Sequence, residues 1–285
     1  MAQTYQNSPS DLLIDLGKIE SVPDAHYFAT PRSKLERVGL MASSAVAGVL
    51  AVYFFTADAT LQTSLTWLLV ALAFAGGLLS TWSPCGYSSI CLLRPNGRYS
   101  SRAVVEWMPT LIAHAAGYIA GALILGGALG FVGYSLGLGA YLSYTLPVFA
   151  ALLVLYGAHQ FGFVRVPYPQ RRCQVPHDAR QRFPKWVIGL IYGFSLGLNY
   201  LTYVQTPLLY AVTGAAMFSG SVAFGIGIFL VFNLGRFLPV MLNALPLTDV
   251  SITQWLSRHQ ENAAVVDGML LVGAGMACLT MMLLA

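Results

Sequence analysis

Apolar residues in this chain gather in long runs separated by short polar links. A helix that crosses a bilayer needs about 20 such residues. Runs of that order occupy 39–56, 65–93, 107–132, 138–160, 186–215, 217–243 and 263–284. They predict an all-α integral membrane protein with about seven transmembrane helices. The expected organisation is a cytoplasmic tail over 1–38 and an extra transmembrane helix over 39–60. A three-helix unit over 61–160, a basic loop over 161–185 and a second three-helix unit over 186–285 follow. A short helix near Asp11–Ile19 is expected in the tail.

The polar links divide into two kinds. Those after the first, third and fifth runs are short and hold a single charge, Asp58. The others carry all 15 Lys and Arg residues. Lys18, Arg32, Lys34 and Arg37 precede the first run, and Arg94, Arg98 and Arg102 follow the second. Arg165, Arg171, Arg172, Arg180, Arg182 and Lys185 follow the fourth, and Arg236 and Arg258 follow the sixth. Basic residues accumulate on the cytoplasmic side of membrane proteins. The alternation therefore predicts a membrane protein with its N-terminus in the cytoplasm and its C-terminus outside. The first residues lack the charged start and short apolar core of a signal peptide.

Composition agrees. Charged residues make up 9% of the 285 and hydrophobic residues 56%, whereas soluble domains are about a quarter charged. The solvent for most of the chain is therefore the lipid bilayer. The net charge of +4 belongs to the topology signal and implies no nucleic acid. The 28 glycines lie mostly inside the apolar runs, where membrane helices pack closely. No phosphate loop, nucleophile elbow or metal motif is present, so no cofactor is expected and an independent hydrolase or ATPase is unsupported.

Two runs carry a proline among polar residues. The second ends Trp82-Ser83-Pro84-Cys85-Gly86-Tyr87, and the fifth holds Asn199, Thr202, Gln205 and Thr206 ahead of Pro207. Proline removes a helical hydrogen bond, and lipid cannot satisfy the groups it releases, so such breaks face protein or a cavity. Aligning Ser83-Pro84-Cys85 with Thr206-Pro207-Leu208 sets runs two to four against runs five to seven. Three spans is an odd number, so the two halves would form a 3+3 inverted repeat, an arrangement that places sites at paired breaks.

The Ser-Pro-Cys and Thr-Pro breaks in a three-plus-three repeat resemble the membrane domain of the DsbD/CcdA thiol–disulfide carriers. The stretch Asn233-Leu234-Gly235-Arg236-Phe237-Leu238-Pro239 is similar to the end of that family's fifth helix. The resemblance covers residues 65–284. Within the superfamily, length, the extra span and the Trp-Ser-Pro-Cys-Gly-Tyr run look most like its methylamine-utilization members. What this implies is an assembly factor for a periplasmic redox enzyme, methylamine dehydrogenase in particular. Its partner would be a periplasmic thioredoxin-like protein or an enzyme subunit. In the carriers a cysteine on each broken helix passes electrons across the membrane. Cys85 matches the first position, but Leu208 occupies the second. A shuttle between the two breaks is therefore ruled out. The rival reading is a small-solute or reductant transporter using a cavity between the breaks, and a third is a scaffold.

The candidate site residues follow. Cys85 is either a redox thiol or a small residue packed at a kink. Cys91 could pair with it only through a break at Gly86, since six helical residues separate the two by about 9 Å. Ser83, Pro84, His114, Asn199, Thr202, Gln205, Thr206 and Pro207 are expected to bind substrate or line the cavity. His114 could equally hydrogen-bond a neighbouring helix. Cys173 and His177, four apart in the basic loop, lack the further ligands a metal would need.

Overall fold

In lipid, backbone groups must be satisfied within the segment, so long apolar runs become helices. The computed structural model describes residues 32–55, 61–95, 99–167 and 182–284, and among these there is helix and no strand. The expected tail helix, Asp58, Arg98, Cys173 and His177 lie outside the described residues.

In chain order the helices are α1 (Lys34–Phe55), α2 (Leu61–Leu79), α3 (Pro84–Leu92), α4 (Ser101–Ser135), α5 (Leu142–Gln160), α6 (Lys185–Gly197), α7 (Leu208–Phe218), α8 (Val222–Phe237) and α9 (Asp249–Leu284). Short 3-10 segments join several of them, at Ser80–Trp82, Leu138–Tyr141 and Leu238–Ala244. Five stretches are long and apolar enough to cross a membrane unaided: Lys34–Phe54, Gln62–Trp82, Ser101–Ser135, Val222–Ala244 and Val250–Leu284. Large apolar side chains such as Ile112 and Phe131 on α4 point outward, 62% and 61% exposed, which suits a surface solvated by lipid.

Helix α4 lies against both α6 and α8, and α8 also packs on α2. The last helix, α9, packs on α5 and on α1. Glycine permits these approaches. A Cβ at Gly193 of α6 would fall on the carbonyl oxygen of His114 in α4, and one at Gly121 would meet the backbone of Gly197. Gly117 and Gly121 on one helix face Gly193 and Gly197 on the other, a small-xxx-small pairing on both sides of the contact. The same device joins Gly126 to Gly225 between α4 and α8, and Gly77 to Gly235 between α2 and α8.

Helix ends depart from the apolar runs. Helix α9 has 36 residues and begins well before the last run, so Arg258 sits on its exposed first turns. One residue expected in a basic link does not belong there. Arg236 is only 3% exposed and lies inside α8. Its side chain has buried acceptors to meet, which hydropathy does not register.

Candidate functional site

Two interrupted helices frame the site. After α2 the chain tightens into Ser80–Trp82, Ser83 takes an extended conformation (φ −78°, ψ 153°), and Pro84 opens α3. Proline suits a first helical position, because its missing N–H would have no partner there. The turn is closed locally: Ser83 Oγ donates to Ser80 O at 2.5 Å and Ser80 Oγ to Gly77 O at 2.6 Å. Gly86 is required by close approach, since a Cβ would strike the Thr81 backbone. In the second interruption α6 stops at Gly197, Asn199 adopts a left-handed conformation (φ 53°), and Pro207 caps α7. Asparagine is among the few non-glycine residues that visit this region readily.

Cys85 occupies the first turn of α3 and is 1% exposed. It packs with Tyr118 of α4 and Leu196 of α6, flanked by Tyr203 and Phe237. His114 is fully buried one turn before Tyr118, the two rings meeting edge to face at 4.9 Å. His114 Nδ1 lies 3.0 Å from the carbonyl oxygen of Gly189. A carbonyl only accepts, so Nδ1 carries the proton and Nε2 is an acceptor. That Nε2 and the Tyr118 hydroxyl are both buried without a hydrogen-bond partner.

Arg236 ties this cluster to the second break. Its Nη1 donates to Leu196 O at 2.8 Å and to Asn199 Oδ1 at 2.9 Å, and Nη2 reaches Thr202 Oγ1 at 3.4 Å. Asn233, one turn earlier on α8, donates to Tyr118 O and Gly197 O, each at 3.0 Å, and accepts from Asn199 Nδ2 at 3.0 Å. Carbonyls released where α6 ends are thus satisfied from α8. Tyr118 and Cys85 are both within electrostatic reach of the guanidinium, whose Nε has no hydrogen-bond partner.

Thr206 and Gln205 belong to a second polar centre. Thr206 Oγ1 donates to Asp267 Oδ1 at 2.6 Å, and Gln160 Nε2 donates to Asp267 Oδ2 at 2.6 Å. Asp267 is 2% exposed on α9. Beside it lies a cavity of about 20 Å³, lined by Trp82, Gln160, Gln205, Thr206, Gln260 and Asp267. The indole N–H of Trp82 donates to Leu256 O at 2.9 Å, which fixes that wall to α9.

The expected residues therefore divide. Cys85 and His114 share one cluster, Asn199 and Thr202 join it through Arg236, and Gln205 and Thr206 turn to Asp267. Ser83 and Pro84 shape the first break, and Pro207 ends the second. Cys91 stands apart. Helix α3 runs unbroken through Gly86, so the pairing of Cys85 with Cys91 is corrected: six residues along an intact helix exceed disulfide reach. Leu208 is buried at 0% exposure on α7. Cys85, Cys91 and Cys278 are all thiols, and among the described residues no group of three or more His, Cys, Asp or Glu could hold a metal.

Two residues that matter here are absent from the candidates that sequence singles out. Arg236 lies in the sixth apolar run and Asp267 in the seventh, and an ionisable residue at such a place is a functional candidate in itself. Asn233 stands out in sequence only through its place in the Asn-Leu-Gly-Arg stretch, with no signal of the carbonyls it meets.

No family model matches the chain, and no solved structure matches it. The DsbD/CcdA-type resemblance accordingly rests on its motifs alone. Curated relatives are similar over nearly the whole length. The methylamine utilization protein MauF of Methylophilus methylotrophus is 54% identical over 263 residues, covering 92% of each chain. MauF of Paracoccus denitrificans is 56% identical over 263 residues, 92% of this chain and 94% of its own. MauF of Paracoccus versutus is 61% identical over 206 residues, 72% and 75% of the two chains. At that identity and coverage, the chain belongs to the MauF family of methylamine utilization proteins.

Proposed function

We propose that this protein is an inner-membrane accessory factor of methylamine utilization that acts in maturing a periplasmic redox enzyme, methylamine dehydrogenase, by handling thiols at Cys85. The observation that carries the reading is the surroundings of Cys85. The thiol sits at a helix break, in one cluster with Tyr118, and within electrostatic reach of the buried guanidinium of Arg236. With leucine at the aligned position 208 and Cys91 out of reach, the exchanging sulfur belongs to another protein, a thioredoxin-like carrier or an enzyme subunit. Cys85 is buried, so exchange requires the two breaks to part.

The architecture in this reading has seven spans, N-terminus inside and C-terminus outside. The five long helices are joined by α5 and by the broken pair α6–α7. A 3+3 inverted repeat is supported by helix pairing, since α2 against α8 has its counterpart in α6 against α4.

Cys85→Ser tests the thiol role, because serine keeps the size but cannot form a mixed disulfide. The expected result is loss of growth on methylamine and of active methylamine dehydrogenase, with protein level and membrane insertion unchanged. Pro84→Ala is the control that should impair any function depending on the break. A thiol-trapping reagent should yield an intermolecular adduct. Normal activity in the Cys85→Ser strain ends the thiol reading.

A second reading, passage of a small solute or reductant, has its own observation. An apolar crevice of about 150 Å³ is lined by Gln62, Leu65, Phe149, Phe218 and Phe224, near the start of α2 and the end of α7. The polar cavity at Asp267 lies by the other ends of the same two helices, at Leu79 and Thr206. Cavities at opposite ends of shared helices suit alternating access, and a transporter would tolerate Cys85→Ser.

A further inference from the structure

We infer that the Asp267 carboxylate is a binding site for a small monovalent cation, a proton or a sodium ion, seated between α9 and the second helix break. Three observations lead there, and none depends on Cys85.

The first is the state of the carboxylate. Asp267 is 2% exposed within the last apolar run, and both of its oxygens accept hydrogen bonds, one from Thr206 and one from Gln160. That is the pattern of an ionised carboxylate, yet both donors are neutral. An isolated buried charge is costly and demands either a counter-ion or neutralisation.

The second is the absence of an ion pair on the packed helices. Arg37 of α1 donates to Phe161 O, and Arg32 meets Glu36, Glu261 and Asn262. His159 of α5 accepts the Val166 N–H, and His259 of α9 meets Trp255 O. Arg258 lies exposed near the start of α9. Among the described residues, no salt bridge is made to Asp267.

The third is the room beside it. The cavity of about 20 Å³ has oxygen-bearing side chains on several sides, from Gln160, Gln205, Thr206 and Gln260. A site that size holds about one water or one ion of similar radius. A sodium ion would find the carboxylate together with neutral oxygens. A proton would sit on the carboxyl, with the Thr206 hydroxyl turning from donor to acceptor. Either way the cation acts directly on the Thr206–Asp267 bond, and therefore on the residue before Pro207.

Dicyclohexylcarbodiimide, an apolar reagent that reacts with protonated carboxyl groups, provides the test on the purified full-length protein. Peptide mass mapping should place the adduct on Asp267, and Asp267→Asn should lose that adduct. Thermal unfolding in sodium chloride against choline chloride gives a second readout on the wild-type protein. Labelling suppressed by sodium but not choline, with a raised unfolding midpoint in sodium, assigns a sodium ion. Labelling that falls as pH rises and ignores sodium assigns a proton. An unlabelled Asp267 at every pH, with unfolding indifferent to sodium and pH, overturns the site. A defect in Cys85→Ser leaves these readouts untouched, so the two hypotheses fail separately.

Discussion

Asn199 holds a left-handed backbone, φ 53°, while its side-chain oxygen lies 2.9 Å from Nη1 of Arg236 on another helix. The end of α6 is therefore not terminated by its own sequence alone. Arg236 also takes up the carbonyl of Leu196, so a cation inside a membrane helix is committed to backbone that the break released.

Removing that cation should be costly. Arg236→Leu leaves Asn199 Oδ1 and Thr202 Oγ1 without their donor and Leu196 O with only the Asn199 N–H, and each unsatisfied buried acceptor costs about 1–3 kcal/mol. A markedly lower unfolding midpoint in detergent and reduced membrane levels are expected. Arg236→Lys should recover only part of the loss, because a single ammonium lacks the guanidinium fork. Wild-type stability in Arg236→Leu would show that the network contributes little.

The Thr206 hydroxyl gives a smaller test at the other end of the break. Thr206→Val preserves shape but leaves Asp267 Oδ1 without its donor. A loss of about 1–3 kcal/mol is expected for a buried carboxylate deprived of one hydrogen bond. Thr206→Ser should stay close to wild type. Equal stability of the valine and serine variants would count against a structural role for this bond.

Close packing predicts a contrast between glycines. A side chain at Gly193 collides with the His114 carbonyl, so Gly193→Val should force α4 and α6 apart and abolish folded protein. At Gly227 of α8 an added methyl group would meet no atom within 4 Å, so Gly227→Ala should be neutral or gain up to about 1 kcal/mol. Size-exclusion profiles of the two variants separate these outcomes.

Topology follows from the placement of basic residues. A C-terminal alkaline phosphatase fusion should be active and a C-terminal green fluorescent protein fusion dark, as the positive-inside rule requires for a periplasmic C-terminus. The reverse pattern would remove the seven-span arrangement.

Hydropathy alone is enough to identify a helical membrane protein, because lipid leaves a long apolar run no alternative to helix. Pro84 and Pro207 mark both interruptions because each stands among polar residues, whereas Pro109 and Pro147 lie inside continuous helices, so a missing N–H alone does not break one. Cys91 shows where local reading stops. Gly86 has the character of a possible break, but the Thr81 backbone presses against it and α3 continues through. Arg236 and Asp267 show the rest. Their charges are visible in the sixth and seventh runs, but what they meet is not. Arg236 answers carbonyls and side chains of a helix end 34 to 40 positions away, and Asp267 a hydroxyl 61 positions away and an amide 107 away. Hydrogen-bond satisfaction inside a membrane is a property of the packed helices together. Only the tertiary structure could decide that one charge mends the broken helix while the other borders a cavity.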